Sequence, residues 1–137
     1  MSNFFESSLA AGHAGEERFM LLVPGLTRTD GRLFDLVTAN GKRVELKTER
    51  RTTSQTPNIA VEISSSGKLG AIHAAAANAD YIVFLFADDK YFVYEPKALL
   101  AEVNDDYRRV AVANSTYEST VVLMPRAAIK HLEVSLD

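Results

Sequence analysis

The chain has 137 residues, of which 47% are hydrophobic and 24% charged, and its formal net charge is −3. This size predicts a single domain spanning residues 1–137, and the composition is that of a globular protein rather than a disordered chain. The absence of cysteine excludes disulfides and thiolate chemistry, and the negative net charge argues against a uniformly basic coat for nucleic acid.

The apolar segments of the chain are short. The longest wholly apolar run is Ile82–Ala87, whereas a helix needs about 20 such residues to span a bilayer. The first residues also lack the basic stretch and apolar segment of a secretory signal. We therefore expect no membrane partner and a cytoplasmic location.

Apolar spacing predicts helices and strands that alternate along the chain. In chain order these are a helix over 3–23, strands at 32–38, 43–49 and 59–64, a helix at 69–79, strands at 81–87 and 91–95, a helix at 97–103, a strand at 120–124 and a helix at 126–134. The order predicts an α/β fold with one mixed central sheet flanked by helices.

A carboxylate lies on the apolar stripe of the first predicted helix. Glu16 follows Leu9 by seven residues and precedes Phe19 by three, so it points to the same side as both. Burying an unpaired carboxylate is costly. Glu16 is therefore expected either to take part in a site or to pair with an arginine such as Arg43.

The predicted hairpin of 32–38 and 43–49 allows two registers. A two-residue turn at Asn40-Gly41 places Asp35 and Glu45 on opposite faces, whereas a three-residue loop, Ala39-Asn40-Gly41, pairs them directly. The second register is favoured because it segregates apolar from polar side chains, and a slip by one residue would reverse every side chain. One face then carries only apolar residues, namely Phe34, Leu36, Val44 and Leu46, and the other carries Leu33, Asp35, Val37, Arg43, Glu45 and Lys47.

Two opposed carboxylates and a lysine predict a phosphodiester-cleaving site. Asp35 and Glu45 are hard oxygen ligands of the kind that Mg²⁺ or Mn²⁺ prefers, and the carbonyl of Leu46 is a further candidate ligand. Lys47 can orient or deprotonate a water or neutralise charge in the transition state. Glu16 is a candidate for a second ion or for holding the water.

The spacing Asp35, nine residues, then Glu45-Leu46-Lys47, preceded by Gly15-Glu16 on a helix, resembles the PD-(D/E)XK nuclease superfamily. Residues 58–86 are similar to small phage-type and Holliday-junction-resolvase-like members. The resemblance implies a restriction-endonuclease-like α-β-β-β-α-β core, Mg²⁺ or Mn²⁺ on two carboxylates, a catalytic lysine and homodimers on DNA. It also implies action in a host cytoplasm if the protein is phage-encoded. Phe34 stands where the superfamily motif has proline.

Contact with DNA is expected from a local basic patch. Residues 42–51 carry a net charge of +3, which leaves −6 for the remainder. A few cations suffice to hold phosphates. Ser66 and Lys68 are predicted to precede a helix, where free N–H groups can hold a phosphate or a serine can simply cap. The candidate DNA-contacting residues are Lys42, Arg43, Arg50, Arg51, Ser66 and Lys68.

The sequence thus predicts a Mg²⁺-dependent DNA endonuclease, and branched DNA such as a Holliday junction is a candidate substrate. A restriction- or repair-type nuclease on linear DNA and a non-catalytic DNA-binding module of the same fold are the alternatives. Glu62 is read either as a further site carboxylate or as an edge ion pair, and Gln55 as a site or a plain loop residue.

Overall fold

The computed structural model describes residues 4–29, 34–113 and 118–136, and side chains are described outside 4–11 and 113. The helices are α1 (Phe4–Leu22), α2 (Ala71–Asn78), α3 (Pro96–Glu102) and a 3-10 helix (Arg126–Leu132). The strands are β1 (Thr27–Arg28), β2 (Leu36–Val37), β3 (Arg43–Thr48), β4 (Asn58–Ser65), β5 (Lys68–Leu69), β6 (Tyr81–Leu85), β7 (Tyr91–Tyr94), β8 (Arg108–Ala113) and β9 (Glu118–Pro125). No helix in these ranges is long and apolar enough to cross a membrane.

The strands form two sheets. The first is mixed, with the order β1-β2-β3-β6-β7, and β3 and β6 are its parallel pair. The second is antiparallel, with the order β5-β4-β9-β8. The prediction of a mixed α/β fold is therefore confirmed, whereas the placement of all strands in one sheet is wrong.

Two apolar clusters hold the first sheet between its neighbours. One face packs against α1, where Phe19 contacts the cluster that contains Val44, Leu46 and Val83. The other face packs against α2, α3 and the second sheet, where Ile82 and Phe84 join Ile72. Strand β6 is buried along its whole length because both of its faces are covered, as its unbroken apolar sequence predicts.

The expected third strand, 59–64, exists as β4 but belongs to the second sheet. It pairs with β9 along its length, and this pairing buries Ile59 and Val61 against Val122. Arg126 fixes the loop that carries the chain from one sheet to the other, because its guanidinium donates to the carbonyls of Thr53 (3.0 Å) and Thr56 (2.8 Å). Local periodicity predicts a strand, but it does not identify the neighbour with which that strand pairs.

Three further differences concern strands that are short or exposed. Of the predicted strand 32–38, the described residues 34–38 form a strand only at β2, and residues 32 and 33 lie outside the described ranges. The short strand β1 pairs with β2 at the sheet edge. Strand β8 begins with two exposed arginines, and Ala111 and Val112 are also exposed, so it lacks the alternation of buried apolar and exposed polar residues by which strands are predicted.

Candidate active site

The predicted hairpin register is confirmed. Leu36 pairs with Val44, and the Thr38 N–H donates to the Lys42 carbonyl at 2.9 Å. Gly41 has φ of +83°, the left-handed conformation that a three-residue loop needs and that glycine adopts without strain. This register places the carboxylates of Asp35 and Glu45 on the same face of the sheet.

The Asp35 carboxylate reaches across to β3. Its Oδ2 accepts a hydrogen bond from the Leu46 backbone N–H at 2.8 Å, which fixes the side chain against the strand that carries Glu45. The Asp35 carboxyl group is also close enough to Glu45 to contribute to raising the pKa of Glu45. The predicted neighbouring pair of acids is therefore present.

Burial and neighbouring negative charges both raise the pKa of Glu45. Only 15% of its side chain is exposed. Desolvation by burial, interaction with the Asp35 side chain and the charges of Asp35 and Glu16 raise the pKa of Glu45 to about 8, although the charge of Lys47 acts in the opposite direction. A cation placed beside these carboxyl groups would relieve their repulsion.

Lys47 lies on the same face as Glu45. Its Nζ is 4.0 Å from Glu45 Oε1, and 40% of the side chain remains exposed. An ammonium group in this position contacts one acid while still reaching solvent. It can therefore contact a substrate without leaving the pair.

Glu16 faces inward as predicted, but its partner is Arg28. Arg28 Nε donates to Glu16 Oε1 at 2.8 Å, and the Glu16 side chain is 15% exposed. The alternative partner, Arg43, instead binds Asp80 through two guanidinium nitrogens. The sequence carries no signal for the Arg28 pairing, since β1 was not predicted.

The carboxylates of this site suit Mg²⁺, which needs few protein ligands, better than a metal ion held by three or more side chains. Within the described ranges, no group of three or more His, Asp or Glu side chains could hold a metal ion. Mg²⁺ commonly keeps several waters and takes one or two carboxylates together with substrate phosphates. Asp35 and Glu45 meet that requirement, and Glu16 is bound to Arg28 instead of joining them.

The predicted phosphate site at the start of the second helix is wrong. Ser66 and Gly67 form the turn of a hairpin, with φ of 52° and 77°, and Lys68 continues into β5. The Glu62 carboxylate occupies the start of α2, where Oε1 accepts from the Ala71 N–H at 3.1 Å. A carboxylate thus stands where a phosphate was expected.

The other basic residues differ in their availability. Arg51 is paired with Glu49 at 3.0 Å, as Arg43 is with Asp80. Lys42, Arg50 and Lys68 are exposed. Of the predicted DNA contacts, these three are therefore the cations best placed to meet a phosphate.

Glu62 and Gln55 have local structural contacts. The second carboxylate oxygen of Glu62 accepts from the Ser119 hydroxyl at 3.1 Å, so this residue joins α2 to the second sheet. Gln55 Oε1 accepts from the Thr52 N–H within its own loop. Both of these roles are structural.

A cavity adjoins Lys47 between the two sheets and the start of α2. It is lined by Lys47 and Thr48 of β3, by Glu49 after that strand, and by β4 from Ile59 to Glu62. Glu49 was not identified from the sequence as a site residue, although it follows Glu45 and Lys47 at the strand period and could have been found from that signal. No family model matches this chain, and no curated protein is similar enough to count as a match.

Proposed function

We propose that this protein is a Mg²⁺-dependent endonuclease that hydrolyses phosphodiester bonds in DNA. One observation carries the proposal: Asp35 and Glu45 hold their carboxyl groups together on one sheet face, and Lys47 lies 4.0 Å from Glu45. Two acids this close destabilise a fold once both are ionised, whereas a site for a divalent cation gains from them. Two metal-binding carboxylates with a cation nearby are a combination suited to metal-assisted phosphodiester hydrolysis.

Each of the three side chains has a distinct role in this proposal. Asp35 and Glu45 would hold the metal ion, which supplies charge stabilisation and activates water when bound. Lys47 orients the attacking water or stabilises the negative charge that develops on the phosphate. The Leu46 N–H fixes the Asp35 carboxylate, so that it points at the site before any ligand arrives.

The arrangement of the first sheet supports the same proposal. The described order is α1, β1, β2, β3, β4, β5, α2, β6, and it contains the α-β-β-β-α-β order that the superfamily resemblance implies when β4 and β5 of the second sheet are left out. The third strand of this series is β3, and β4 and β5 are inserted before α2. The match therefore depends on the two-residue strand β1 rather than on the segment 59–64.

We further propose that DNA approaches the face where Asp35, Glu45 and Lys47 lie. Exposed Lys42 and Arg50 flank β3 and would contact phosphates on either side. Two copies of a chain this small would grip a duplex or a junction better than one, and a twofold pair is the commonest oligomer. Sedimentation with and without DNA tests this homodimer.

Cleavage of supercoiled, four-way-junction and linear DNA in Mg²⁺ tests the function. Wild-type protein should cleave at least one of the three, and Asp35→Asn and Lys47→Ala should each lose at least about 100-fold in rate. Exposed Asp106 and Lys130 provide the matched controls Asp106→Asn and Lys130→Ala, which should cleave like wild type.

The substrate panel also separates the alternatives. Preference for the junction identifies a structure-selective enzyme, whereas equal cleavage of linear DNA favours a restriction- or repair-type enzyme. Binding without cleavage, unchanged by Asp35→Asn or Lys47→Ala, would mean that the protein is a non-catalytic DNA-binding module.

A further inference from the structure

The cavity beside Lys47 has an apolar floor and a polar rim. Its volume is about 150 Å³. The floor consists of side chains that are at most 5% exposed, namely Ile59, Val61, Ile72, Ile82, Phe84 and Phe86. The rim consists of partly exposed residues, among them Lys47, Glu49, Glu62, Ala60 and Ala71. The cavity therefore suits a group that is apolar on its faces and polar at its edge.

The charges on the rim disfavour an anion inside the cavity. Glu49 and Glu62 both line it, and their carboxylates already bind Arg51 and the start of α2. A phosphate placed among them would be repelled. Lys47 is shared between this cavity and the Asp35–Glu45 pair, so a phosphate at Lys47 would lie at the mouth.

The volume of the cavity favours a ligand with one six-membered ring over a ligand with two fused rings. An apolar protein cavity of about 150 Å³ accepts one benzene molecule. A pyrimidine has one six-membered ring, whereas a purine has two fused rings. The phenyl rings of Phe84 and Phe86 in the floor provide edge or face contacts to a planar base.

We propose that this cavity receives an unpaired pyrimidine base from the DNA strand whose phosphate lies at Lys47. The inference rests on the proposed nuclease function and names the feature of the substrate that the site selects. An unpaired base is the class of ligand that fits, because a base in an intact duplex must first lose its pairing and stacking, whereas an unpaired base loses least.

Binding of three duplexes tests the proposal: one fully paired, one with a single unpaired thymidine, and one with an abasic residue in place of that thymidine. Ca²⁺ replaces Mg²⁺ so that binding is measured without turnover. Wild-type protein should bind the thymidine duplex at least tenfold more tightly than the abasic one, since the two differ only in the base. An unpaired adenosine should bind more weakly than thymidine.

Two alanines of α2 provide a matched pair of variants. Ala71 lines the cavity, whereas Ala74 is exposed on the same helix. Ala71→Leu should bring the affinities for the thymidine and abasic duplexes within twofold of each other, and Ala74→Leu should preserve the tenfold difference. Ala60→Leu is a second substitution designed to fill the cavity, from β4. It is used if thermal unfolding shows that Ala71→Leu does not fold.

Equal binding of thymidine and abasic duplexes by the wild type would overturn the inference, as would a preference that survives both filling substitutions. Either result leaves Mg²⁺-dependent cleavage of DNA in place, so the nuclease proposal would stand. If the wild type binds none of these three duplexes and also cleaves neither supercoiled, four-way-junction nor linear DNA, both proposals are wrong.

Discussion

The carboxylate of Asp35 accepts a hydrogen bond from the backbone N–H of Leu46, 2.8 Å away on the neighbouring strand. This bond ties the acid on one arm of the hairpin to the arm that carries Glu45 and Lys47. Asp35 directly precedes β2, and this bond holds its carboxylate against β3, which carries Glu45.

Glu45 should make the fold less stable as pH rises. Its folded-state pKa of about 8 lies above the ordinary glutamate value of 4.5. The folded protein thus binds this proton more tightly than the unfolded chain, and the stabilisation is fully present below pH 4.5 and lost as pH rises to about 8. The free energy of unfolding of the wild type should fall between pH 5 and pH 9. In Glu45→Gln that fall should be smaller by about 1–3 kcal/mol.

Urea denaturation at several pH values measures that difference. Glu118→Gln is the matched control, because Glu118 is exposed and should leave the pH dependence unchanged. If the free energy of unfolding changes with pH in the same way for wild type and Glu45→Gln, the pKa of Glu45 is not raised in the folded protein.

Much of this site follows from the hairpin sequence alone. Gly41 fits either of the two candidate turns, and the separation of Leu36 and Val44 from Asp35 and Glu45 selects the register. Both signals lie within the hairpin itself. The neighbouring acids were therefore predictable without knowledge of the rest of the fold.

The partners of charged side chains were not predictable in the same way. Arg28 reaches Glu16 across 12 positions of sequence, and the carboxylate of Glu62, on β4, accepts a hydrogen bond at the start of α2. Such contacts depend on how whole elements pack. Sequence spacing identifies the charged residues but does not show which of them meet.

Mg²⁺ should stabilise the folded protein, and more strongly at pH 9 than at pH 6. Binding requires both carboxyl groups to be ionised, and at pH 6 the proton on Glu45 competes with the metal. At a Mg²⁺ concentration of 100 times Kd the stabilisation is about 2.7 kcal/mol. Thermal unfolding of wild type and Asp35→Asn measures it, with no Mg²⁺ shift expected in the variant. A shift that persists in Asp35→Asn would place the ion elsewhere.

Removing Arg28 should leave Glu16 unpaired beside Glu45. Because the Arg28 side chain is 40% exposed, Arg28→Ala should cost only about 1 kcal/mol of the free energy of unfolding. Adding Glu16→Gln should restore part of that loss, and a double-mutant cycle measures the coupling. The pair of Arg109 with fully solvated Asp105 is the control, since Arg109→Ala should change stability by less than about 0.5 kcal/mol. Equal costs for the two arginines would contradict the account.

Two glycines of α1 should respond in opposite directions to alanine. A Cβ at Gly15 would collide with the Cγ2 methyl of Thr48, whereas a Cβ at Gly12 meets open space. Gly15→Ala should therefore destabilise the protein by about 1–3 kcal/mol because the helix must move off β3. Gly12→Ala should stabilise it by about 0.5–1 kcal/mol through better helix propensity. Chemical denaturation compares them, and equal effects would mean that α1 does not pack closely on Thr48.

The most direct test of the site is the rate of Mg²⁺-dependent strand cleavage by Glu45→Gln, measured at a pH where circular dichroism shows the variant to be folded. The account predicts that wild type cleaves and that Glu45→Gln loses at least about 100-fold in rate, because one of the two metal-binding carboxylates is gone. Cleavage by Glu45→Gln at the wild-type rate would contradict it.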